Sequence, residues 1–384
     1  MRLIDRRRAE RAQATTWGSW GGEGSGTWAG VQVDTQSAMQ LLTVHGCVRL
    51  IADGIGTLPT DVFREKPDGT REPVAPPKWV EQPTVDLDWT AWATQVLSSL
   101  LLSGNAYCWR MYDDSARLSE LVPLDPTKVK IRRDRGRKVY DVAGKPATPL
   151  DILHIPGLML PGSDAGVSPV EYARQTIGLG LAAQEYGARF FGQGATQTGV
   201  IEVPGDLPSD KAREIARLWE RRHSGKSKAH LPGVLEGGAK WVSTGVTNEQ
   251  AQFLQTRNFT DAEIAGQMFL VDPADLGIGV EGTSLTYANL EQRNLRRVQV
   301  TYLPWIVRLE RAISAELARP RYLKLNVNGL LRADFKTRFE GYAIGVRNDF
   351  LQRSEIREWE DLPVIPGLDD RPLPTMGGPS APAS

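Results

Sequence analysis

The sequence predicts an α+β fold in which a mixed part rich in hairpins is followed by a mostly helical part. Apolar and polar residues alternate in short segments between turn residues from about 58 to 155, whereas helical spacing dominates afterwards. Hydrophobic residues make up 41% and charged residues 24%, which is typical of a soluble globular protein. A chain of 384 residues is long enough for two or more hydrophobic cores.

Residues 1–34 are predicted to form a flexible arm. Gly18–Gly30 is mostly glycine and serine, a composition with little capacity to bury a core. Trp17, Trp20 and Trp28 favour an arm that becomes ordered on a neighbouring surface, because free tails rarely carry three tryptophans. Apolar residues at helical spacing then predict a first helix over Ser37–Gly54.

Strand, turn and helix signals alternate in residues 58–155. Asp88 is a favourable N-cap, and Gly104 stands where a helix often ends in a left-handed residue. Strands are predicted over Leu58–Arg64, Asn105–Tyr112, Leu118–Leu124, Val129–Arg133 and Lys138–Val142. Asp68-Gly69 suits a hairpin turn, and Pro73–Pro83 is predicted to be a loop.

Helical signals dominate after Ile155. Ser168-Pro169-Val170-Glu171 is a capping box with proline at the first helical position. Helices are predicted from there to about Phe191, and over Ser209–His223, Asn248–Phe269, Ser284–Ala318, Asp334–Val346 and Ser354 to before Pro363. The longest would span about 50 Å, and Pro304 should kink it. Leu323–Val327 is predicted as a strand, and the tail from Pro366 as disordered.

The sequence does not show the signals that are typical of disulfide-rich, membrane-spanning or secreted proteins. The two cysteines, Cys47 and Cys108, lie in apolar periodic segments and are predicted as core residues, so no disulfide framework or cysteine metal site is expected. No apolar run approaches the roughly 18 residues of a membrane span. The N-terminus has arginines without a following apolar region, so it is not read as a secretory signal, and folding in a reducing cytoplasm is expected.

No catalytic residue, metal site or cofactor is predicted. Gly225-Lys226-Ser227 resembles the end of a phosphate loop, but Glu220 stands where that motif needs glycine. His154, near Asp151, could belong to a catalytic pair, but a satisfied structural histidine is the favoured interpretation. The four histidines show no metal-ligand spacing, and no G-x-S-x-G elbow occurs.

Basic residues cluster locally in a chain whose 46 lysines and arginines balance 46 acidic residues. Lys128–Lys138 is interpreted either as a nucleic-acid patch or, preferably, as a charged hairpin that protects an exposed edge. Further basic positions follow at Arg293, Arg296, Arg297, Arg308, Arg311, Arg319, Arg321, Lys324, Arg332, Lys336 and Arg338. Solvated helix faces explain about half of this excess, and intersubunit salt bridges or phosphate contacts could explain the rest.

The order of these segments resembles the portal proteins of long-tailed phages and prophages, from about Ala38 to Pro363. The matching motifs are Leu102–Tyr107 (L-x-G-N-A-Y), Leu121–Pro126 with Val129 (L-x-P-x-x-V), Asp151–His154 (D-x-x-H), Gly166–Pro169 (G-x-S-P), Phe190–Gly194, Glu263–Ala265, Pro273–Leu276, Tyr287–Gln292 and Leu303-Pro304. Each motif is weak alone, but their order and spacing together are specific. Ser354–Arg357 departs from the family's N-E-x-R, although serine can also cap a helix.

The resemblance implies a portal fold that assembles into a ring of twelve, with a wing, a two-helix stem, a small clip between the stem helices and a tunnel loop facing the channel. Carried over to this chain, the parts are an arm (1–34), wing (35–283), stem (284–318), clip (319–332), second stem helix (333–346), tunnel loop (347–354), a post-loop helix (355–365) with a small or absent crown, and a tail (366–384). The tunnel-loop residues expected to face DNA are Arg347, Asn348, Gln352 and Arg353. Basic positions of the channel or clip are Arg319, Arg321, Lys324, Arg332 and Lys336.

By the same resemblance, the chain is expected at one vertex of a virion assembled in the host cytoplasm. Double-stranded DNA would pass through the ring during packaging and ejection. The implied partners are other copies of the chain, the terminase large subunit, the major capsid protein and a head-completion or connector protein, with no membrane. Two alternatives are a structural head or adaptor protein that never contacts DNA and a DNA-processing enzyme, which would need a metal cluster or a phosphate loop.

Overall fold

The computed structural model describes residues 26–192, 199–205, 208–223, 238–243, 249–279, 287–327, 330, 335–360 and 362–370. The chain divides into two compact units. The larger combines Met1–Leu285 with Gln299–Asn326, and the smaller combines Thr286–Val298 with Val327–Ser384. Helices and antiparallel sheets occur together, which confirms the predicted α+β class.

The described part of the chain contains α-helices together with a few π-helical and 3₁₀ segments. In order, the α-helices are α1 (Thr35–Ala38), α2 (Leu42–Gly56), α3 (Lys78–Glu81), α4 (Trp89–Ser103), α5 (Pro169–Tyr172), α6 (Arg174–Gly192), α7 (Ser209–His223), α8 (Glu249–Glu263), α9 (Tyr287–Arg296), α10 (Leu303–Glu316), α11 (Phe335–Arg347) and α12 (Arg353–Trp359). Two π-helical segments follow α8 and α9, at Ile264–Met268 and Arg297–Tyr302. Two 3₁₀ turns lie at Pro126–Lys128 and Pro273–Leu276.

The strands form four small antiparallel sheets. They are β1 (Thr60–Glu65), β2 (Arg71–Val74), β3 (Asn105–Tyr112), β4 (Leu118–Leu124), β5 (Val129–Asp134), β6 (Arg137–Val142), β7 (Lys145–Ala147), β8 (Ile152–Pro156), β9 (Gly199–Glu202), β10 (Lys240–Ser243) and β11 (Arg321–Leu325). The strand orders are β11-β1-β2, β4-β3-β8, β5-β6-β7 and β10-β9. The predicted strands of residues 58–142 are therefore confirmed to within two residues at each end.

Helix α4 is the clearest case in which local signals determine an element. The Asp88 carboxylate accepts a hydrogen bond from the backbone N–H of Ala91 at 2.8 Å, and Gly104 ends the helix at φ +71°. Between these ends, Trp92 and Leu100 are completely buried. The Trp92 indole donates to the carbonyl oxygen of Leu121 at 2.7 Å, which fixes α4 against β4.

Strand β11 links distant parts of the sequence. The sequence predicts a strand at Leu323–Val327; the structure places it at Arg321–Leu325, paired with β1. Glu310 of α10 holds this strand, because its carboxylate accepts from the backbone N–H of Leu325 at 2.9 Å and from Lys324 Nζ at 2.8 Å. Five of the fourteen residues predicted as the clip thus take part in a sheet of the larger unit.

Two expectations about the first hundred residues are wrong. The helix expected over Ser37–Gly54 is interrupted, because Asp34 caps a separate first turn and a new helix begins at Leu42. The proline-rich segment Pro73–Pro83 is not only a loop. It contains part of β2 and the turn α3, in which Trp79 and Val80 are buried. Burial of these two side chains outweighs the tendency of the flanking prolines to break regular structure.

Two later helices are less regular than their patterns predict. Ser168 caps a helical turn as expected, but that turn ends at Ala173 and α6 begins anew at Arg174. Pro304 lies in the first turn of α10, and the irregularity lies before it, in the π-helical segment Arg297–Tyr302. Proline lacks an N–H and its ring crowds the carbonyl of the preceding turn. The wider π-helical turn before Pro304 accommodates this ring.

The smaller unit contains α9, α11 and α12. Arg338 donates to Glu360 at 2.9 Å, and the Tyr342 hydroxyl donates to the same carboxylate at 2.9 Å. The N-cap of α12 is Gln352, which forms a reciprocal capping box with Glu355. The expectation that Ser354 caps this helix is therefore wrong, because Ser354 lies inside its first turn.

The ion pair between Arg110 of β3 and Glu316 of α10 is expected to stabilise the larger unit. The guanidinium donates to both carboxylate oxygens, at 2.9 and 2.7 Å, and both side chains are mostly buried. Glu316→Ala should lower the free energy of unfolding by about 3–5 kcal/mol, because it leaves Arg110 buried without its partner. Urea titration measures the loss, and Arg110→Met/Glu316→Leu should recover most of it. Equal losses in both variants would contradict this reading.

Candidate functional site

The residues predicted to face a channel lie near the end of α11. Arg347 is the last residue of that helix and is exposed, as is Asn348, whose amide donates back to the carbonyl of Ile344 at 2.9 Å. Gln352 and Arg353 lie at the start of α12, where Gln352 takes part in the capping box. All four belong to the smaller unit, and the structure brings them into one short turn between two helices.

The basic positions predicted for the channel or clip have different surroundings. Arg319 is exposed before β11, Arg321 is half-buried within it, and Lys324 is paired with Glu310. Lys336 lies in the first turn of α11, and Arg332 lies outside the described residues. Arg319, Arg321 and Lys324 line one open surface cavity, whereas Lys336 belongs to the smaller unit, so the geometry brings three of the five positions together.

The basic hairpin β5–β6 is tied to the loop that precedes α5. Arg133 donates to both oxygens of Asp164, at 2.7 and 2.8 Å, and Lys138 Nζ donates to the Asp164 carbonyl at 2.6 Å. Hydrogen bonds from Arg133 hold the pKa of Asp164 below its usual value. Val129 is buried on the same face of the hairpin as Arg133 and Lys138, whereas Lys130 and Arg132 are exposed on the opposite face, in agreement with the predicted alternation. Two of the basic residues therefore have a structural role.

Most of the motifs that precede α5 meet at the side chain of Asn105, the first residue of β3. Its carbonyl oxygen accepts from the backbone N–H of Gly166 at 2.6 Å and lies 3.0 Å from His154 Nε2. Its amide donates to the carbonyl oxygens of Ser103 and Gly166, at 3.1 and 2.8 Å. The amide is only 7% exposed, so it uses nearly all its hydrogen-bonding capacity inside the protein.

The glycines of this junction allow two backbone segments to come close together. Gly104 has φ +71°, and a Cβ there would overlap the carbonyl group of Val167. A Cβ on Gly166 would overlap the carbonyl oxygen of Gly104 in turn. Ser168 then donates its hydroxyl to the carbonyl of Leu102 at 3.0 Å while it caps α5. The L-x-G-N-A-Y and G-x-S-P motifs are thus two halves of one junction.

His154 is enclosed within this junction. Its ring stacks on Tyr107 with centroids 4.6 Å apart, and Nδ1 lies 3.4 Å from both Lys138 Nζ and the Tyr140 hydroxyl. Burial, together with the charge of Lys138, lowers the pKa of His154 from 6.5 to about 3. The neutral ring can donate from Nε2 to Asn105 and accept at Nδ1. Both nitrogens are occupied, which supports the structural interpretation of His154 over a catalytic one.

In the described residues, no group of three or more histidine, cysteine, aspartate or glutamate side chains could hold a metal ion. No described helix is long and apolar enough to cross a membrane. Cys47 and Cys108 are both completely buried, as predicted, and burial raises the pKa of Cys47 to about 12. Gly225-Lys226-Ser227 lies outside the described residues.

An apolar cavity of about 550 Å³ lies beside the junction. Gly104, Gly157 and Val167 line one wall, and the π-helical segment that follows α8 forms another. The sequence does not predict this cavity. Its walls come from separated segments, and neither the hydrophobic pattern nor any single motif places these segments together.

The buried histidine makes stability depend on pH. The unfolded chain binds a proton below about pH 6.5, whereas folded His154 stays neutral to about pH 3, so stability present above 6.5 is lost as the pH falls. At pH 5 the loss from this group should be about 2 kcal/mol. His154→Gln should remove that part of the loss, measured by urea titration at pH 7 and pH 5. The control is His45→Gln, which removes an exposed histidine and should lose as much unfolding free energy between pH 7 and pH 5 as the parent protein. If His154→Gln also loses as much as the parent protein, the assignment is refuted.

Comparison with known proteins extends over most of the chain. The family model described as phage portal protein matches residues 42–361. The probable portal protein of Streptomyces phage phiC31 is 34% identical over 366 residues, which cover 89% of this chain and 79% of that protein. The portal protein of Enterobacteria phage HK97 is 24% identical, with coverage of 88% and 82%.

Solved structures share the fold at lower sequence identity. One chain from the neck of a native gene transfer agent particle, computed with C12 symmetry, has a TM-score of 0.57 at 22% identity and covers 91% of this chain and 98% of its own. An HK97-family phage portal protein from Corynebacterium diphtheriae also has a TM-score of 0.57, at 15% identity, with coverage of 77% and 96%. The described helices and sheets therefore form the fold of these proteins.

Proposed function

The chain belongs to the phage portal protein family, and from this premise we propose that it forms a ring at one vertex of a phage capsid through which DNA passes. The family match over residues 42–361 is the observation that carries the proposal. The C12 symmetry of the related neck supports a ring of twelve subunits. The virion is the place of action, and assembly would occur in the host cytoplasm.

The proposed role is passive conduction of double-stranded DNA, inward during packaging and outward during ejection. The portal family is structural, so a separate terminase large subunit would supply the ATP hydrolysis that drives packaging. A conduit should bind DNA weakly, because phosphate contacts repeated around a ring would add steeply to affinity and slow translocation. The balance of 46 basic and 46 acidic residues is consistent with weak binding.

The proposed partners follow from this position. The major capsid protein would surround the ring, and a head-completion or connector protein would bind after the terminase leaves. A structural head or adaptor protein without DNA contact is the main alternative. It would keep the same helices and sheets but would have no need for an axial channel.

Electron microscopy of the purified full-length chain tests the proposal directly. We expect closed rings with an axial hole wide enough for double-stranded DNA and with twelve-fold symmetry in class averages. A shell, a filament or only monomers under conditions that keep the protein folded would contradict the proposal. Addition of DNA should not be required for ring formation, because the family role places assembly before packaging.

The positions of stem, clip and tunnel loop have two candidate assignments. The first keeps the sequence prediction of a stem at 284–318 and 333–346, a clip at 319–332 and a tunnel loop at 347–354. The second rests on the packing of α6 against α8. Between these two helices in sequence lie the antiparallel strand pair β9–β10 and helix α7, which connects part of the interval between the two strands. That arrangement is also two helices with a small module between them. It would place the tunnel loop after α8, beyond Met268.

Charge reversal separates the two assignments. Under the first, Arg347→Glu/Arg353→Glu should leave rings intact but shorten the packaged DNA and reduce phage titre, because two new carboxylates per subunit would repel phosphates in the channel. The matched control is Arg49→Glu/Lys66→Glu, which reverses two exposed cations of the larger unit. Unchanged DNA length and titre in the first variant would exclude the 347–354 tunnel loop and favour the second assignment.

A further inference from the structure

A groove beside the C-terminal end of α10 carries an excess of positive charge. It has a volume of about 510 Å³, lies between α10 and β11, and is lined by Arg311, Arg319 and Arg321. In the described part of the chain, none of these three guanidinium groups forms an ion pair. The carboxylate of Glu310 also lines this arginine groove, but it is already paired with Lys324.

The pairing of β11 with β1 concentrates this charge. Arg321 lies directly opposite Arg64 in the antiparallel register, and like charges in such positions destabilise a sheet. Arg64 has a partner in Glu72, at 3.6 Å, whereas Arg321 is half-buried with no anion paired to it among the described residues. The chain therefore leaves the charge of Arg321 to be neutralised from outside.

The loop between α3 and α4 has the opposite charge. Glu81 and Asp86 are exposed, and the Glu120 carboxylate of β4 lies beside the loop, where it accepts from the backbone N–H of Val85 at 3.4 Å. These three carboxylates form no ion pair with any described residue. The Val85 side chain is 74% exposed between them in sequence. This acidic loop, Glu81–Asp88, thus offers negative charge together with one apolar side chain.

The acidic loop and the arginine groove lie towards opposite edges of the sheet β4-β3-β8. The loop covers the outer edge of β4, because the carbonyl oxygen of Pro83 accepts from the backbone N–H of Leu121 at 2.8 Å. Helix α10, which forms one wall of the groove, packs against β8 at the other edge. Two different, complementary patches on each subunit are what a head-to-tail contact needs in order to close into a ring.

We propose that the arginine groove of one subunit receives the acidic loop of the next subunit. This inference rests on the ring proposed above and names the surfaces that join its subunits. Arginine suits the contact because its guanidinium is weakly hydrated and forms paired hydrogen bonds to a carboxylate. Leu317 and Tyr322 add apolar surface to the groove, against which the Val85 side chain packs. Opposite charges on the two patches also favour the head-to-tail orientation over contacts between identical patches.

Charge reversal on each side of the contact tests the proposal. Glu81→Lys/Asp86→Lys leaves a subunit with two positive patches, and Arg311→Glu/Arg319→Glu leaves one with two negative patches. Either variant alone should lose most of its rings in electron micrographs, because every contact then joins like charges. Coexpressed in equal amounts, the two variants should recover rings of alternating subunits, because every contact again joins opposite charges.

The outcomes separate this contact from the ring itself. The matched control, Lys130→Glu/Arg132→Glu, reverses two exposed cations of the hairpin β5–β6 and should assemble like the parent protein. Parental ring yield in both charge variants would overturn the contact and leave the proposed function intact, as would a coexpressed pair that folds, checked by circular dichroism, without recovering rings. A parent protein that forms no rings would instead contradict the proposed function.

Disulfide trapping examines the same contact without the need for a closed ring. A Val85→Cys chain mixed with an Ala315→Cys chain and oxidised with diamide should give a covalent heterodimer, because Ala315 lines the groove. Cys47 and Cys108 should not react, since both are completely buried. In the control mixture, Thr127→Cys replaces Ala315→Cys and places the thiol on the exposed turn before β5. Equal heterodimer yields in the two mixtures would overturn the proposal, whether or not the parent protein forms rings.

Discussion

The carboxamide of Asn105 is the interaction on which the centre of the larger unit depends. It joins the end of α4, the start of β3 and the loop before α5 through hydrogen bonds to Ser103, Gly166 and His154. A carboxamide has both donor and acceptor groups, so it can bind the N–H and the carbonyl of the same glycine. A carboxylate or a hydrophobic residue of similar size would leave at least one of these buried groups without a partner.

This junction explains why short, separated motifs are informative about the fold. Gly104 and Gly166 are needed because the two backbones approach too closely for a Cβ, and Ser168 joins the same contact while it caps α5. Each of these residues can be singled out from the sequence, which also favours a structural role for His154. Their meeting cannot be predicted, because the pattern along one chain contains no information on which loops come together.

Local signals predicted the elements better than they predicted their partners. The limits of α4 followed from Asp88 and Gly104, whose side-chain and backbone chemistry act within one turn. By contrast, the pairing of β11 with β1 and the cavity near α6 depend on segments far apart in sequence. The start of α12 shows that residue preferences can also mislead. Serine is a preferred N-cap, which favoured Ser354, but the cap is Gln352, two residues earlier.

The pairing of Thr60–Glu65 with Arg321–Leu325 also has a consequence for biosynthesis. Ribosomes add roughly 5–20 residues per second, so β1, the central strand of its sheet, would wait on the order of 10 to 50 s for its partner β11 to be translated. During that time β1 has only β2 beside it, and the edge that β11 later occupies is open to other strands. Nascent chains made at high concentration should therefore be most vulnerable to misassociation at this edge, and protection of β1 by a chaperone would matter before any ring can assemble.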